Sequence, residues 1–370
     1  MNKTAYSKTL ALLMAAGMLL SGCILDTVNE TDNDGLAPDV EIDLGPVEII
    51  TTDGCDNLNP LHCMLPFPSN AFLTADTSTE TGYKVNYASN TLPSSGTTSN
   101  VEILDLNRFD GFSPSTQIMT AFTTVPNLTG VANQHSIATS LSDGHATVLL
   151  NLKNGERVAH WVELDDRATN PSATIVFMRT LGALDTNTTY GVAFIGLTDL
   201  SGNPITPSPA MQAIIDGDET TSPDIESRRD EIEAFIGSHL DAYDLISVKA
   251  AWVFHTASSQ SILSDISTMR SDALTRLGED GIGCTVTSSE DNYGDDDKLY
   301  RRIRGTFTAP QYLESQNPPA LLVRGNDSLP QYVEDSEIPF TMVIPQVLAD
   351  LNESGPLVVF GHGFLGTGEG

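Results

Sequence analysis

The sequence predicts a mainly β chain built in series: a β-rich sandwich over 55–210, a helix–strand–helix connecting region over 211–290, and further strands over 291–370. Three observations carry this. Between Ser115 and Ser208, short runs rich in Val, Ile, Thr and aromatic residues recur with turn residues between them, the pattern of many short strands. From Ser222 the apolar spacing becomes that of a helix. Further on, Leu357-Val358-Val359-Phe360 is a continuous apolar run, as a parallel strand covered on both faces should be.

Residues 1–23 read as a targeting segment rather than structure. Lys3 and Lys8 make a positive start, and Leu10 to Leu20 is apolar but too short to span a bilayer. Leu20-Ser21-Gly22-Cys23 resembles a bacterial lipobox, which implies that Cys23 is lipidated and becomes the new N-terminus. An ordinary secretory signal is the alternative. Several acyl chains on one residue give stable membrane anchoring. Ile24, in the place of the aspartate that retains lipoproteins in the inner membrane, implies the outer membrane. The side of that membrane is left open.

Residues 24–54 hold nine acidic residues and no Lys or Arg. Such a segment buries too little to fold and is expected to be an extended tether. Glu30, Asp32, Asp34, Gly35 and Glu41 fall at positions 1, 3, 5, 6 and 12 of a calcium-loop pattern. Glu in place of Asp at position 1, Pro38 at position 9 and the lack of flanking amphipathic helices favour the tether. Asp291 to Asp297 reads the same way, as an exposed acidic loop.

The whole chain carries 18 Lys+Arg against 49 Asp+Glu, a net charge of −31. Loss of Lys3 and Lys8 with the leader makes it −33. A surface this acidic repels phosphate backbones and anionic headgroups, so nucleic acid is excluded as a partner. Cys55 and Cys63 flank a seven-residue loop and are expected to pair in an oxidising compartment. Cys284 is left over, either as a buried free thiol or as an alternative partner. No cofactor is expected. A zinc site is poor, with only His62 and Cys284 to help the pair.

Within the β-rich part the expected strands are 118–123, 136–140, 146–150, 157–164, 174–178 and 190–195. Asp143-Gly144 and Asn154-Gly155 are hairpin signals. The stretch Leu184 to Tyr190, with Asp199-Leu200-Ser201-Gly202-Asn203-Pro204, is similar to the last strands of bacterial Ig-like surface domains. Those domains space or bind. His135, His145 and His160 are read there as structural. Ser222-Pro223-Asp224 is a helix start, with Ile225, Ile232, Phe235, Ile236 and Leu240 at helical spacing. Residues 245–256 read as a strand ending near His255, a strand-end structural residue in preference to a relay. Residues 258–277 read as an amphipathic helix with Ile262, Leu263, Ile266, Met269, Ala273 and Leu277 on its apolar face. Strands at 302–309, 338–344 and 357–360 follow.

Gly361-His362-Gly363-Phe364-Leu365 resembles the oxyanion loop of α/β-hydrolases, a His-Gly turn after the third strand. Glycines there let backbone N–H groups approach a developing oxyanion. That resemblance implies one donor near Phe364, with His362 shaping the loop rather than acting as base. Gly-x-Ser-x-Gly does not occur in the chain, so no serine–histidine–acid triad is assembled. Two further motifs are Pro66-Phe67-Pro68-Ser69-Asn70-Ala71-Phe72-Leu73, with Cys63 before it, and Asn107-Arg108-Phe109-Asp110-Gly111-Phe112-Ser113-Pro114. They resemble segments of bacterial outer-membrane lipoprotein lipases. These carry a virulence-factor-lipase N-terminal region followed by an α/β-hydrolase domain. The resemblance implies that residues 291–370 begin such a domain. The expected function is then the N-terminal portion of an exported, lipid-anchored carboxylic-ester hydrolase, inactive as it stands, with a lipid or acyl-ester substrate. The alternative is a surface-anchored Ig-like binding or adhesion lipoprotein without enzyme activity.

Overall fold

Two neighbouring strands, β8 (Thr189–Ile195) and β9 (Val248–His255), form the spine, and their side chains show why. One face carries aromatic bulk. Tyr190 stacks on Phe254 with ring centroids 5.6 Å apart, and Phe194 on Trp252 at 6.1 Å. The other face is nearly bare, with Gly191, Ala193 and Ala251 buried against a helix. A Cβ at Gly191 would overlap the Phe235 ring, so only glycine lets the helix come this close.

The computed structural model describes residues 45–92, 103–170, 174–279, 281–294, 298–317, 319–361 and 363. Strands β4 (Thr147–Asn151) and β5 (Glu156–Arg157) complete an antiparallel four-stranded sheet in the order β5-β4-β8-β9. Gly155, at a φ of +75°, closes the β4–β5 hairpin. A second antiparallel sheet has the order β3-β7-β6, from β3 (Ile118–Ala121), β6 (His160–Leu164) and β7 (Ile175–Thr180). Its Phe122 meets Phe194 edge to face at 5.7 Å, and the two sheets share one apolar core. A hairpin of β1 (Leu73–Ala75) and β2 (Tyr83–Val85) and a short helix α1 (Ile103–Leu106) lie before β3.

Helices α2 (Pro209–Asp216) and α3 (Pro223–His239) cover the small-residue face. Both start as capping chemistry requires. Ser208 accepts from Met211 N–H and Ser222 from Ile225 N–H, each with proline next. Val47 and Ile49, near the end of the expected tether, dock on this layer. Val47 donates to Glu219 O at 2.7 Å and accepts from Thr221 N at 2.9 Å.

Helix α4 (Ser259–Leu277) and a third antiparallel sheet, β10 (Cys284–Asp291), β11 (Leu299–Gln311) and β12 (Glu334–Pro345), follow. Asp265 of α4 takes Arg324 through two bonds of 2.8 and 2.9 Å and Arg108 at 2.9 Å, tying this sheet's connecting loop to the motif at 107–114. Helix α5 (Gln346–Leu351) comes last. Among the described residues no helix is long and apolar enough to cross a membrane.

The chain is mainly β, as its pattern of short apolar runs between turn residues predicts, and its sheets are antiparallel. Five local expectations are corrected. Residues 137–141 form a 3-10 helix, not a strand, because Asn133 and Ser136 bond locally to backbone N–H groups and turn the chain. The run 157–164 is broken at Val158-Ala159 into β5 and β6. Strand β10 occupies 284–291, so Asp291 sits in a sheet and pairs with Arg301 at 2.5 Å. Leu357–Phe360 lies in no sheet and is exposed rather than buried. Likewise Ile262, Leu263 and Ile266 of α4 are between 37% and 57% exposed, so the first half of that apolar face is not covered, while Met269, Ala273 and Leu277 are half-buried.

Candidate functional site at the open edge of the sandwich

An antiparallel sandwich leaves its edge strands with unpaired backbone groups, which natural folds cover. Here β3 is the edge of one sheet and β9 the edge of the other. The loop 55–69 closes over both. Its Cys55–Cys63 disulfide is formed, as expected. Phe67 exchanges two backbone bonds with Met119 of β3, at 2.9 and 2.6 Å. Asn59 Nδ2 donates to Ala121 O at 2.9 Å. On the other side, Trp252 Nε1 donates to Pro68 O at 2.8 Å. Ser208 Oγ donates to Leu58 O at 2.6 Å, joining the loop to the start of α2.

A buried charge network holds the loop from below. The Asp56 side chain is fully buried and accepts from Leu58 N at 2.9 Å, Ser69 Oγ at 2.5 Å and Arg228 at 2.8 Å. Arg228 also pairs with Asp224, one turn back on α3, at 2.9 Å. Beside it Glu231 accepts from Asn70 Nδ2 at 2.9 Å, and burial pushes its carboxyl above the usual range.

Between loop, edges and α2 lies a cavity of about 410 Å³. Its floor is buried and apolar: Trp252, Ala251, Ala121 and Met211. Its rim is exposed at Pro60, Thr123, Thr206 and Pro209. This is the size and lining of a small-molecule site. One charged residue, Lys249, joins the wall. It is only 8% exposed, and its ammonium donates to Ile246 O at 3.2 Å.

A second cavity, of about 420 Å³, lies among turn residues around Gly144 and His145. Its imidazole, His145, is engaged in hydrogen bonds. His145 Nε2 accepts from Ala132 N at 3.0 Å, and its Nδ1 faces Thr147 O and Thr147 Oγ1, each at 3.1 Å. Thr147 Oγ1 continues to His160 Nε2 at 2.8 Å, while His160 Nδ1 bonds Val158 O at 2.8 Å. Both rings are thereby held as structural members of the sandwich, as the sequence suggests. His255 is held too, by Thr189 at 2.8 Å and Asn187 at 3.1 Å.

Burial pulls the His160 imidazole down to about 4 from its ordinary 6.5. A folded-state value below the unfolded one means that the unfolded chain takes up the proton first. The stability from this residue is complete above about pH 6.5 and is lost as pH falls toward 4. The loss over that window is about 3 kcal/mol. Urea unfolding at pH 7 and pH 4.5 should show it, and His160→Gln should flatten the difference. An unchanged pH dependence in His160→Gln would contradict this.

Of the sequence-predicted site residues, Cys55 and Cys63 are joined, and most of the others fall outside the described residues. Cys23, Glu30, Asp32, Asp34 and Glu41 lie outside the described residues, as do His362, Phe364 and Leu365. Gly361 and Gly363 are exposed. Cys284 is an exposed free thiol on β10. Among the described residues no group of three or more His, Cys, Asp or Glu is placed to hold a metal. Sequence reading missed the cavity, Lys249 and the Asp56–Arg228 pair. The Ser208-Pro209 cap signal could have found α2 and half of the rim. Comparison of the chain with protein-family models and with curated proteins finds no match.

Proposed function

We propose that this chain is the N-terminal portion of an exported, lipid-anchored carboxylic-ester hydrolase of the lipase and esterase type, acting at the outer membrane. The observation that carries the reading is the segment before the His-Gly turn. Leu357, Val358, Val359 and Phe360 are between 74% and 89% exposed, directly ahead of Gly361. Four consecutive apolar side chains are suited to a buried strand, and among the described residues no strand pairs with them. A hydrolase sheet would bury them and set the glycine turn over an ester carbonyl. The Ig-like reading of the sandwich belongs to the same proposal, as the spacer between anchor and catalytic part.

Residues 24–370 alone should not hydrolyse p-nitrophenyl butyrate. The product of the complete reading frame should hydrolyse it and be silenced by a serine-directed phosphonate. A complete product that is inert toward short and long esters would sink the proposal and leave the binding lipoprotein.

A further inference from the structure

We propose that the cavity at the open edge of the sandwich binds one medium-length alkyl chain ending in a carboxylate, a fatty-acid anion, with Lys249 as its counter-ion. Three features converge there. The floor is apolar and buried, with Trp252, Ala251, Ala121 and Met211 among its lining residues. The rim is exposed, so a chain has a way in. The one cation in the wall is Lys249, a residue only 8% exposed, whose ammonium has three donors, one of them used among the described residues, on Ile246 O. Among the described residues no carboxylate lies within ion-pair distance of it. A buried charge is normally paired, and this chain has acidic groups in excess from which to supply a partner. That none of the described ones does so reserves the position for an anion from outside.

Size sets the chain length. A methylene is about as large as a water molecule, roughly 30 Å³. A cavity of about 410 Å³ then holds a chain of roughly ten to twelve carbons with its head. The inference goes beyond the hydrolase reading and does not need it.

The test is calorimetric titration of the full chain carrying Cys23→Ser with decanoate and, separately, decanol. Decanoate should bind at least tenfold more tightly than decanol. Octanoate should bind about an order of magnitude more weakly than decanoate, at about fourfold per methylene. Lys249→Met should erase the preference for the acid while keeping the affinity for decanol, which also shows that the variant is folded. Equal binding of acid and alcohol by the unchanged cavity would overturn the role of Lys249, and no binding of either would overturn the site. Ester turnover by the complete reading frame is measured separately, so either reading can fail alone.

Discussion

Arg228→Ala lowers the unfolding free energy by about 3–5 kcal/mol. The size follows from what is left behind. The Asp56 side chain has no exposure, and its charge is balanced by Arg228 at 2.8 Å. Without that guanidinium the carboxylate keeps only two neutral donors, Leu58 N and Ser69 Oγ. Desolvation of the lone charge then dominates. Replacing both partners, as Asp56→Asn with Arg228→Met, should cost clearly less than Arg228→Ala alone, since neither charge stays buried. The loop 55–69 should also become open to protease before the sandwich does, because this pair is its tie to α3. Urea unfolding of the three proteins reads the ordering. A single-variant loss below about 1 kcal/mol, the range of exposed pairs, would contradict it.

Trp252→Ala costs a similar amount, about 3–5 kcal/mol, and reaches the cavity as well. The indole stacks on Phe194, forms the cavity floor and bonds Pro68 O. Truncation leaves a hole between the two sheets and a buried carbonyl without its donor. Trp252→Phe separates the contributions, since it keeps a ring against Phe194 and loses the bond. It should cost about 1–3 kcal/mol, the range for a buried acceptor left unsatisfied. Equal losses for the two variants would mean that packing contributes little here. Decanoate affinity should fall in Trp252→Ala even in buffers where the protein remains folded.

Much of the sandwich is legible from local pattern. β4 and β8 read correctly because Thr147–Leu150 and Tyr190–Ile195 are dense in β-branched and aromatic residues. α3 is announced by Ser222-Pro223, whose hydroxyl and ring do what that pair does at helix starts. Residues 136–140 read as one of the short Ile- and Thr-containing runs between turns, yet side-chain bonds from Asn133 and Ser136 decide the turn. β9 reads as a strand, but its place beside β8 does not. That pairing spans two intervening helices, and the bare face at Gly191, Ala193 and Ala251 has meaning only once α3 is laid over it.

The candidate site is the least legible part, for a related reason. Asp56 and Arg228 are 172 residues apart, and neither sits in a recognisable motif with the other. The cavity is made by two strand edges, a disulfide loop and a helix start, each ordinary by itself. Lys249 is one lysine in a strand until its burial and its lack of a described carboxylate partner are seen together. By contrast the His-Gly turn is conspicuous in sequence, and its reading rests on Leu357–Phe360 having composition suited to burial.

Reading the coding DNA immediately downstream of the Gly370 codon tests the hydrolase proposal most directly. The frame should continue and reach a Gly-x-Ser-x-Gly turn within roughly 60–150 codons, as a strand–nucleophile–helix unit after an oxyanion loop requires. A stop codon directly after Gly370 would contradict it and favour the alternative proposal of a binding lipoprotein.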